Sequence, residues 1–482
     1  MWKTIAEKEL RDHLQSTRFL IAASVSMLLL VMSIWMGINH YKARMSQYEQ
    51  GVQMMLDLAS QQSNWMTVTN SAWRKPDPME ILSNGVNSDI GRYSDIGRGQ
   101  DVRLVRSEYS DDPMLAAFQF LDPTFVVLIV LSLIAILFTY NAINGEKESG
   151  TLKLVFANKL SKAEYIIGKL IGSWLAILTP VLISFLIGAL LLILMGINFS
   201  ASSWGRFGFF FLASVLYTTC FMLLGVFISA MTHRSSVSFL VLLVIWICAV
   251  LIVPKAATML AGRAMPVPTV DEIESRLASY STQARIEFFN DMTKRSRERF
   301  RSMADMKPEE RQPAIAAFQQ ENETKRKEME QSITDYSARV YEDYYNQKAR
   351  QELLAFSLAK ISPASQFQLA TMKLGGTDVG MKKRFEDAMK EYKAQYTNYV
   401  QQKGGVGFSV AIKSSGRGST TGSMAGPPQQ KIDISEMPKF KDPDYSFGTS
   451  VTGALFDLGL LTIFNVLAFV GAFVVFLRYD MR

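Results

Sequence analysis

Few residues in this chain could carry covalent, redox or metal chemistry, and their spacing argues against all three. The histidines are His13, His40 and His233, and the cysteines are Cys220 and Cys248. None sit at ligand spacing and both cysteines fall inside apolar runs, so the sequence predicts no metal site, no disulfide framework and no CxxC pair. Gly168-Lys169 is followed by Leu170 and has no glycine five residues before it, so it is not a phosphate-cradling loop. No catalytic residue is assigned, and no cofactor is expected on the chain itself. The informative polar stretch is 144–154, with Glu146, Glu148, Gly150, Thr151, Leu152 and Leu154, followed downstream by Gly168 and Lys169. Its chemistry is mechanical. A short helix carrying Leu152, Leu154, Val155 and Phe156 at a membrane surface can fit a groove on a soluble partner as a rigid peg. An ordinary charged turn needs glycine and lysine but does not predict this order.

The elements that position this stretch are set by hydropathy. Of 482 residues, 49% are hydrophobic and the mean hydropathy is +0.10, with long polar stretches between the apolar ones. Apolar runs at 19–38, 125–140, 170–197, 207–230, 237–253 and 459–477 are each close to the roughly 20 residues that cross a hydrocarbon core about 30 Å thick. The chain therefore reads as an α-helical polytopic membrane protein with six transmembrane helices. The first run is too long for a signal peptide and ends in Trp35, Met36, Ile38 and Asn39, without a small-x-small exit, so it is expected to stay as a span. Residues 1–16 place Trp2, Ile5, Ala6, Leu10 and Leu14 at helical spacing against Lys3, Lys8, Glu9 and Arg11, the pattern of an N-terminal interfacial helix.

Orientation follows from Lys and Arg near the short connections. Lys3, Lys8, Arg11 and Arg18 before the first span, and Lys147, Lys153, Lys159, Lys162 and Lys169 after the second, belong inside. Arg234, Arg478 and Arg482 then also fall inside, which predicts a multi-pass membrane protein with both termini cytoplasmic. The expected divisions are 1–38 (interfacial helix and first span), 39–122 (first extracytoplasmic region), 123–254 (spans two to five, with a cytoplasmic loop at 143–168), 255–449 (second extracytoplasmic domain) and 450–482 (last span and tail). The net charge of +7 comes from basic residues beside spans and among acidic neighbours, without a domain-sized basic face, so no nucleic acid is expected.

The first outer region begins with 41–60, which reads as a helix continuing the span. The second is mainly helical. Ile273, Leu277, Tyr280, Ala284 and Phe288, then Met329, Ile333, Tyr336, Val340 and Tyr344, fall on helical faces, with Lys307, Pro308 and Pro313 between them as in a helical hairpin. Phe385, Met389, Tyr392, Tyr396 and Tyr399 form a third face, read as packing rather than as a ligand box. A Gly/Ser-rich linker follows at 403–430, with only 408–412 alternating like a strand. Within the spans, Asp457 borders the last one and Asn465 lies inside it; both are candidate pathway residues. Pro180 is expected to kink the third span, with Thr179 able to satisfy freed backbone groups. The missing intramembrane charge pair argues against a proton- or sodium-coupled carrier.

The order Glu146, Glu148-Ser149-Gly150-Thr151-Leu152, then Gly168-Lys169, resembles the permeases of ABC-2 type ABC transporters. In that pattern a span ends in Glu, passes through Glu-x-Gly-Thr-Leu into a short amphipathic helix, and re-enters the membrane at Gly-Lys. The resemblance covers roughly 1–38 and 120–255. Ser362-Pro363-Ala364 and Gly375-Gly376-Thr377-Asp378 resemble the subgroup with large extracytoplasmic insertions, which includes gliding-motility and nitrous-oxide-reductase maturation permeases. It implies a permease subunit of an exporter in a bacterial cytoplasmic (inner) membrane, with a second permease copy or paralogue. It also implies ABC ATPase subunits, on separate chains, that hold ATP and Mg and are coupled through 146–154, Gly168 and Lys169. A different reading stays open on the size of the outer region: a non-transporting membrane anchor or receptor whose helical outer domain binds an extracytoplasmic protein.

Overall fold

The computed structural model describes residues 1–62, 68, 70–97, 102–111, 121–157, 160–304, 307–404, 434–443 and 445–479. The linker at 405–430, its strand at 408–412, and Asn158 with Lys159 lie outside the described residues. Among the described residues, six helices are long and apolar enough to cross a membrane: Thr17–Ser60, Pro123–Glu148, Lys162–Leu194, Ala201–Met231, Ser235–Ala264 and Phe447–Arg478. We number the helices α1 (Trp2–Gln15), α2 (Thr17–Ser60), α3 (Pro123–Glu148), α4 (Thr151–Ala157), α5 (Lys162–Leu194), α6 (Ala201–Met231), α7 (Ser235–Ala264), α8 (Val270–Ala304), α9 (Pro308–Ala359), α10 (Pro363–Gly375), α11 (Met381–Gly404) and α12 (Phe447–Arg478). The chain divides into two compact units, Met1–Leu251 with Ser362–Arg482, and Ile252–Ile361. That boundary falls inside the stretch 255–449 that the sequence treats as one region.

In the first unit α6 is the central helix. Of its most apolar window 61% is buried, against 22% for α7, so α7 leaves most of its apolar surface for lipid or another chain. Phe210, Ala213, Tyr217, Phe221 and Val226 of α6 are fully buried. The segment 362–377 packs here rather than standing apart as a soluble domain. Ser362 caps α10 and also bonds the Ala249 carbonyl. Along α10, Ala364, Phe367, Ala370 and Leu374 are buried, and Phe367 stacks on Tyr217 at 4.6 Å. Gly376 ends α10 with φ of 72°, a left-handed conformation that glycine adopts without strain.

Helix α2 runs for 44 residues, about 66 Å at 1.5 Å per residue, so it extends well past the hydrocarbon layer, as its polar second half suggested. Arg44 in this extension is buried and binds Glu80 at 2.8 Å and Glu108 at 3.2 Å, while His40 binds Glu108 at 3.2 Å. Strands β1 (Asn70–Trp73) and β2 (Tyr93–Ile96) pair antiparallel, with Asn70 opposite Ile96 and Trp73 opposite Tyr93. The aromatic face of α11 closes on this hairpin: Met389, Tyr392 and Tyr396 are buried with Ala72, Ile96 and Met437. Tyr392 donates to the Pro438 carbonyl at 2.7 Å and accepts from Asn70 at 2.8 Å. In α5 the Thr179 hydroxyl bonds the Leu175 carbonyl at 2.8 Å. The carbonyl that Pro180 leaves without its helical donor is that of Ala176, so Thr179 does not serve it.

The second unit holds the end of α7 and the hairpin of α8 and α9. Tyr280 stacks on Tyr336 at 3.9 Å and Arg295 meets Glu321 at 3.3 Å, pairs that run in opposite order along the two helices and make them antiparallel. Pro313 lies within α9 rather than between the helices, one turn past its start, and its missing N–H leaves the Glu309 carbonyl without its helical donor. Ile286, Phe289 and Phe300 of α8 stay exposed.

Candidate functional site: the coupling surface

Sequence places Glu146 and Lys169 on different helices, and α1 further away still; one ion cluster joins all three. Lys169 of α5 is buried, with its ammonium 2.8 Å from Glu146 and 3.1 Å from Glu9 of α1. Tyr165, one turn earlier, donates its hydroxyl to Glu146 at 2.5 Å and stacks on Phe476 of α12 at 5.3 Å. His13 of α1 lies 3.6 Å from Glu9 and 3.4 Å from the Ser173 hydroxyl; its pKa is lowered because burial disfavours the imidazolium more than Glu9 favours it.

Glycine makes this approach possible. A Cβ at Gly168 would stand 2.8 Å from the Trp2 carbonyl and from Ile5 Cβ, and one at Gly172 would stand 2.6 Å from Glu9 Cβ. Four residues apart, the two glycines lie on one face of α5 and form the groove that receives α1, a small-xxx-small contact between helices. Ala6 and Glu9 are buried in it, Ile5 and Leu10 pack at its margin, and Trp2 and Leu14 remain exposed, facing away.

Glu148 accepts from the Ser235 backbone N–H at 2.9 Å and its hydroxyl at 2.6 Å, so it caps α7. Lys147 donates to the Ala230 carbonyl at 2.6 Å and the Thr232 carbonyl at 3.2 Å, at the end of α6. Gly150, with φ of 73°, breaks the chain between α3 and α4, and the Thr151 and Ser149 hydroxyls meet at 2.8 Å across the break. Along α4 the two leucines part company. Leu152 is buried in the chain's own core, whereas Leu154 is 70% exposed. Helix α4 is therefore anchored on one face and free on another. Leu152, expected from sequence to meet a partner, fastens α4 from beneath, and Leu154 projects.

Asp457 and Asn465 are not brought to this surface. Asp457 is fully buried in α12 and binds Lys373 of α10 at 2.6 Å; Asn465 donates to the Leu216 carbonyl of α6 at 3.1 Å. Both tie helices together, and Asp457 with Lys373 is a charge pair within the bundle, its carboxylate buried, where the sequence predicts none. Glu9, His13, Tyr165, Gly172 and Ser235 belong to the surface and were missed as site residues. Gly168 with Gly172 was the one legible signal among them. Among the described residues, no group of three or more His, Cys, Asp or Glu is placed to hold a metal ion.

Comparison with known proteins places the chain in a family. Two relatives, each a probable ABC transporter permease protein NosY, are 32% identical to this chain. The one from Stutzerimonas stutzeri matches over 125 residues, 26% of this chain and 45% of the relative. The one from Pseudomonas aeruginosa matches over 114 residues, 23% of this chain and 42% of the relative. The chain thus spans less than half the length of the curated relatives it matches. The family model described as ABC-2 family transporter protein matches residues 3–481, nearly the whole chain, and the protein belongs to that family.

Proposed function

We propose that this chain is the membrane-spanning permease subunit of an ATP-driven exporter, moved by a separate ATPase that holds ATP and Mg and docks on α4. The observation that carries the reading is Leu154, an apolar side chain 70% exposed at the tip of a helix whose neighbour Leu152 is buried. A free apolar tip on a firmly rooted helix suits a groove on a partner. The fastenings of α4's surroundings suit force transmission, because Glu146, Glu148 and Lys147 tie the turn before it to α1, α5, α6 and α7. In this reading both termini and α4 face the cytoplasm, residues 39–122 and 255–449 lie outside, and a second permease copy or paralogue completes the path. The exposed Phe289 and Phe300 of α8 suit a contact with an extracytoplasmic protein.

The test is Leu154→Asp, with Leu152 left in place. The variant should insert and melt as the wild type does, yet lose co-purification of the ATPase and its stimulated hydrolysis. Retention of both would remove α4 as the docking element.

A further inference from the structure

At the end of the bundle opposite α1 lies a polar cavity of about 400 Å³ that the coupling surface does not use. Its walls fix its height relative to a bilayer. Asn198 and Ser200 belong to the turn joining α5 to α6, Tyr445 stands two residues before α12 begins, and Tyr41 follows the apolar half of α2. Three spans end or begin around it, so it sits in the headgroup layer rather than in hydrocarbon or bulk water.

Its charges come in both signs. Lys75, Arg206 and Arg384 line it, and so do Asp77, Glu80 and Asp442. They alternate at short range: Arg206 grips Asp77 at 3.1 Å, and the Asp442 carboxylate accepts the Lys75 backbone N–H at 3.1 Å. Arg384 is bound to Asp378 at 2.8 Å and lies 4.5 Å over the Tyr445 ring. Glu80 and Arg206 are buried in pairs with Arg44 and Asp77, so a purely anionic ligand would still meet Asp442, and an apolar one would strip water from Lys75, Asp442 and Arg384 without replacing its hydrogen bonds. A ligand carrying its own phosphate and its own ammonium meets both signs. Tyr41 suits it further, since tyrosines favour the interface and their ring faces attract a cation, a role Tyr445 already plays for Arg384. Glycerol-linked phosphoethanolamine has that chemistry, and the volume is in the range of small-ligand pockets, about 300 to 1,000 Å³.

We propose that this cavity binds the zwitterionic phosphoethanolamine head of a phospholipid, with the phosphate toward Lys75 and Arg384 and the ammonium toward Asp442 and Tyr41. The site needs the spans to lie in a bilayer but not the docking of an ATPase, so its test is independent of Leu154.

The full chain, purified in detergent, is offered phosphatidylethanolamine, phosphatidylglycerol or soluble glycerophosphoethanolamine, and bound adducts are counted by native mass spectrometry. The wild type should retain phosphatidylethanolamine about tenfold better than phosphatidylglycerol, because only the former supplies an ammonium for Asp442. Lys75→Gln, at an exposed position, and Asp442→Asn should each lower that retention about fivefold while the melting temperature stays within reach of the wild type. Equal retention of the two lipids would overturn the zwitterion. Equal binding of the soluble compound would overturn the lipid as its source. Unchanged retention in both variants would overturn the cavity as its place.

Discussion

Replacing Lys169 by Met keeps the length of the side chain and removes the charge that Glu9 and Glu146 share. Lys169 is 5% exposed, and its ammonium lies 3.1 Å and 2.8 Å from the two carboxylates. Removing one partner of a buried ion pair destabilises by about 3 to 5 kcal/mol, because the remaining charge is left in a poor solvent. Two features place this case at the lower end: Glu146 keeps the Tyr165 hydroxyl at 2.5 Å, and Glu9 keeps His13 at 3.6 Å. A loss of about 3 kcal/mol follows, enough to lower the melting temperature by roughly 3 °C in a chain of this size. Thermal unfolding in detergent, followed by tryptophan fluorescence, reads it. If the loss arises from stranded carboxylates, then Lys169→Met combined with Glu9→Gln and Glu146→Gln should recover most of it, since a neutral set of similar shape leaves no charge to solvate. The reasoning fails if Lys169→Met melts with the wild type. It fails equally if the triple variant melts no higher than the single one.

Other substitutions probe the remaining contacts. Gly172→Leu should lift α1 from its groove, so that a cysteine placed at buried Ala6 reacts with maleimide in this background and is protected in the parent. Burial would raise the Glu108 carboxyl, but the hydrogen bond from His40 and the charge of Arg44 outweigh it and hold the pKa at about 2, below its ordinary 4.5. Its contribution, about 3 kcal/mol, is complete above pH 4.5 and drains away as pH falls toward 2, so Glu108→Gln should flatten acid unfolding in that window. An acid limb unchanged by Glu108→Gln would count against the cluster. In a background lacking Cys220 and Cys248, a cysteine at exposed Ser302 should react with an impermeant reagent from outside and one at exposed Lys153 only from inside; the reverse pattern would invert the topology.

The spans were legible because about twenty consecutive apolar residues have few alternatives. Helix α1 was legible from the spacing of Trp2, Ile5, Leu10 and Leu14, and the packing face of α11 from Met389, Tyr392 and Tyr396. What sequence hid were the pairings. Nothing local to Glu9 says that its partner is Lys169, because that bond depends on how α1 lies against α5. Leu152 and Leu154 illustrate a finer limit. Two positions apart on a helix they point to different faces, and one short amphipathic turn does not reveal which face its own protein will cover. Segment 362–377 was assigned by chain position to an outer domain, whereas its apolar stripe of Ala364, Phe367, Ala370 and Leu374 packs among the spans.

The groove of Gly168 and Gly172 also constrains the order in which the molecule comes together. Glu9 and Lys169 are separated by 160 residues, so α1 is made long before the surface that receives it. Until α3 and α5 are in place, its apolar side can rest only in the membrane interface, and its carboxylate faces water. Docking then buries Ala6 and Glu9 and pairs the acid in a single step, which requires two correctly inserted spans with Glu146 already beside Lys169. Of the three helices joined in this cluster, the first in chain order is thereby the last to settle, and its seating requires the two spans behind it to be in place.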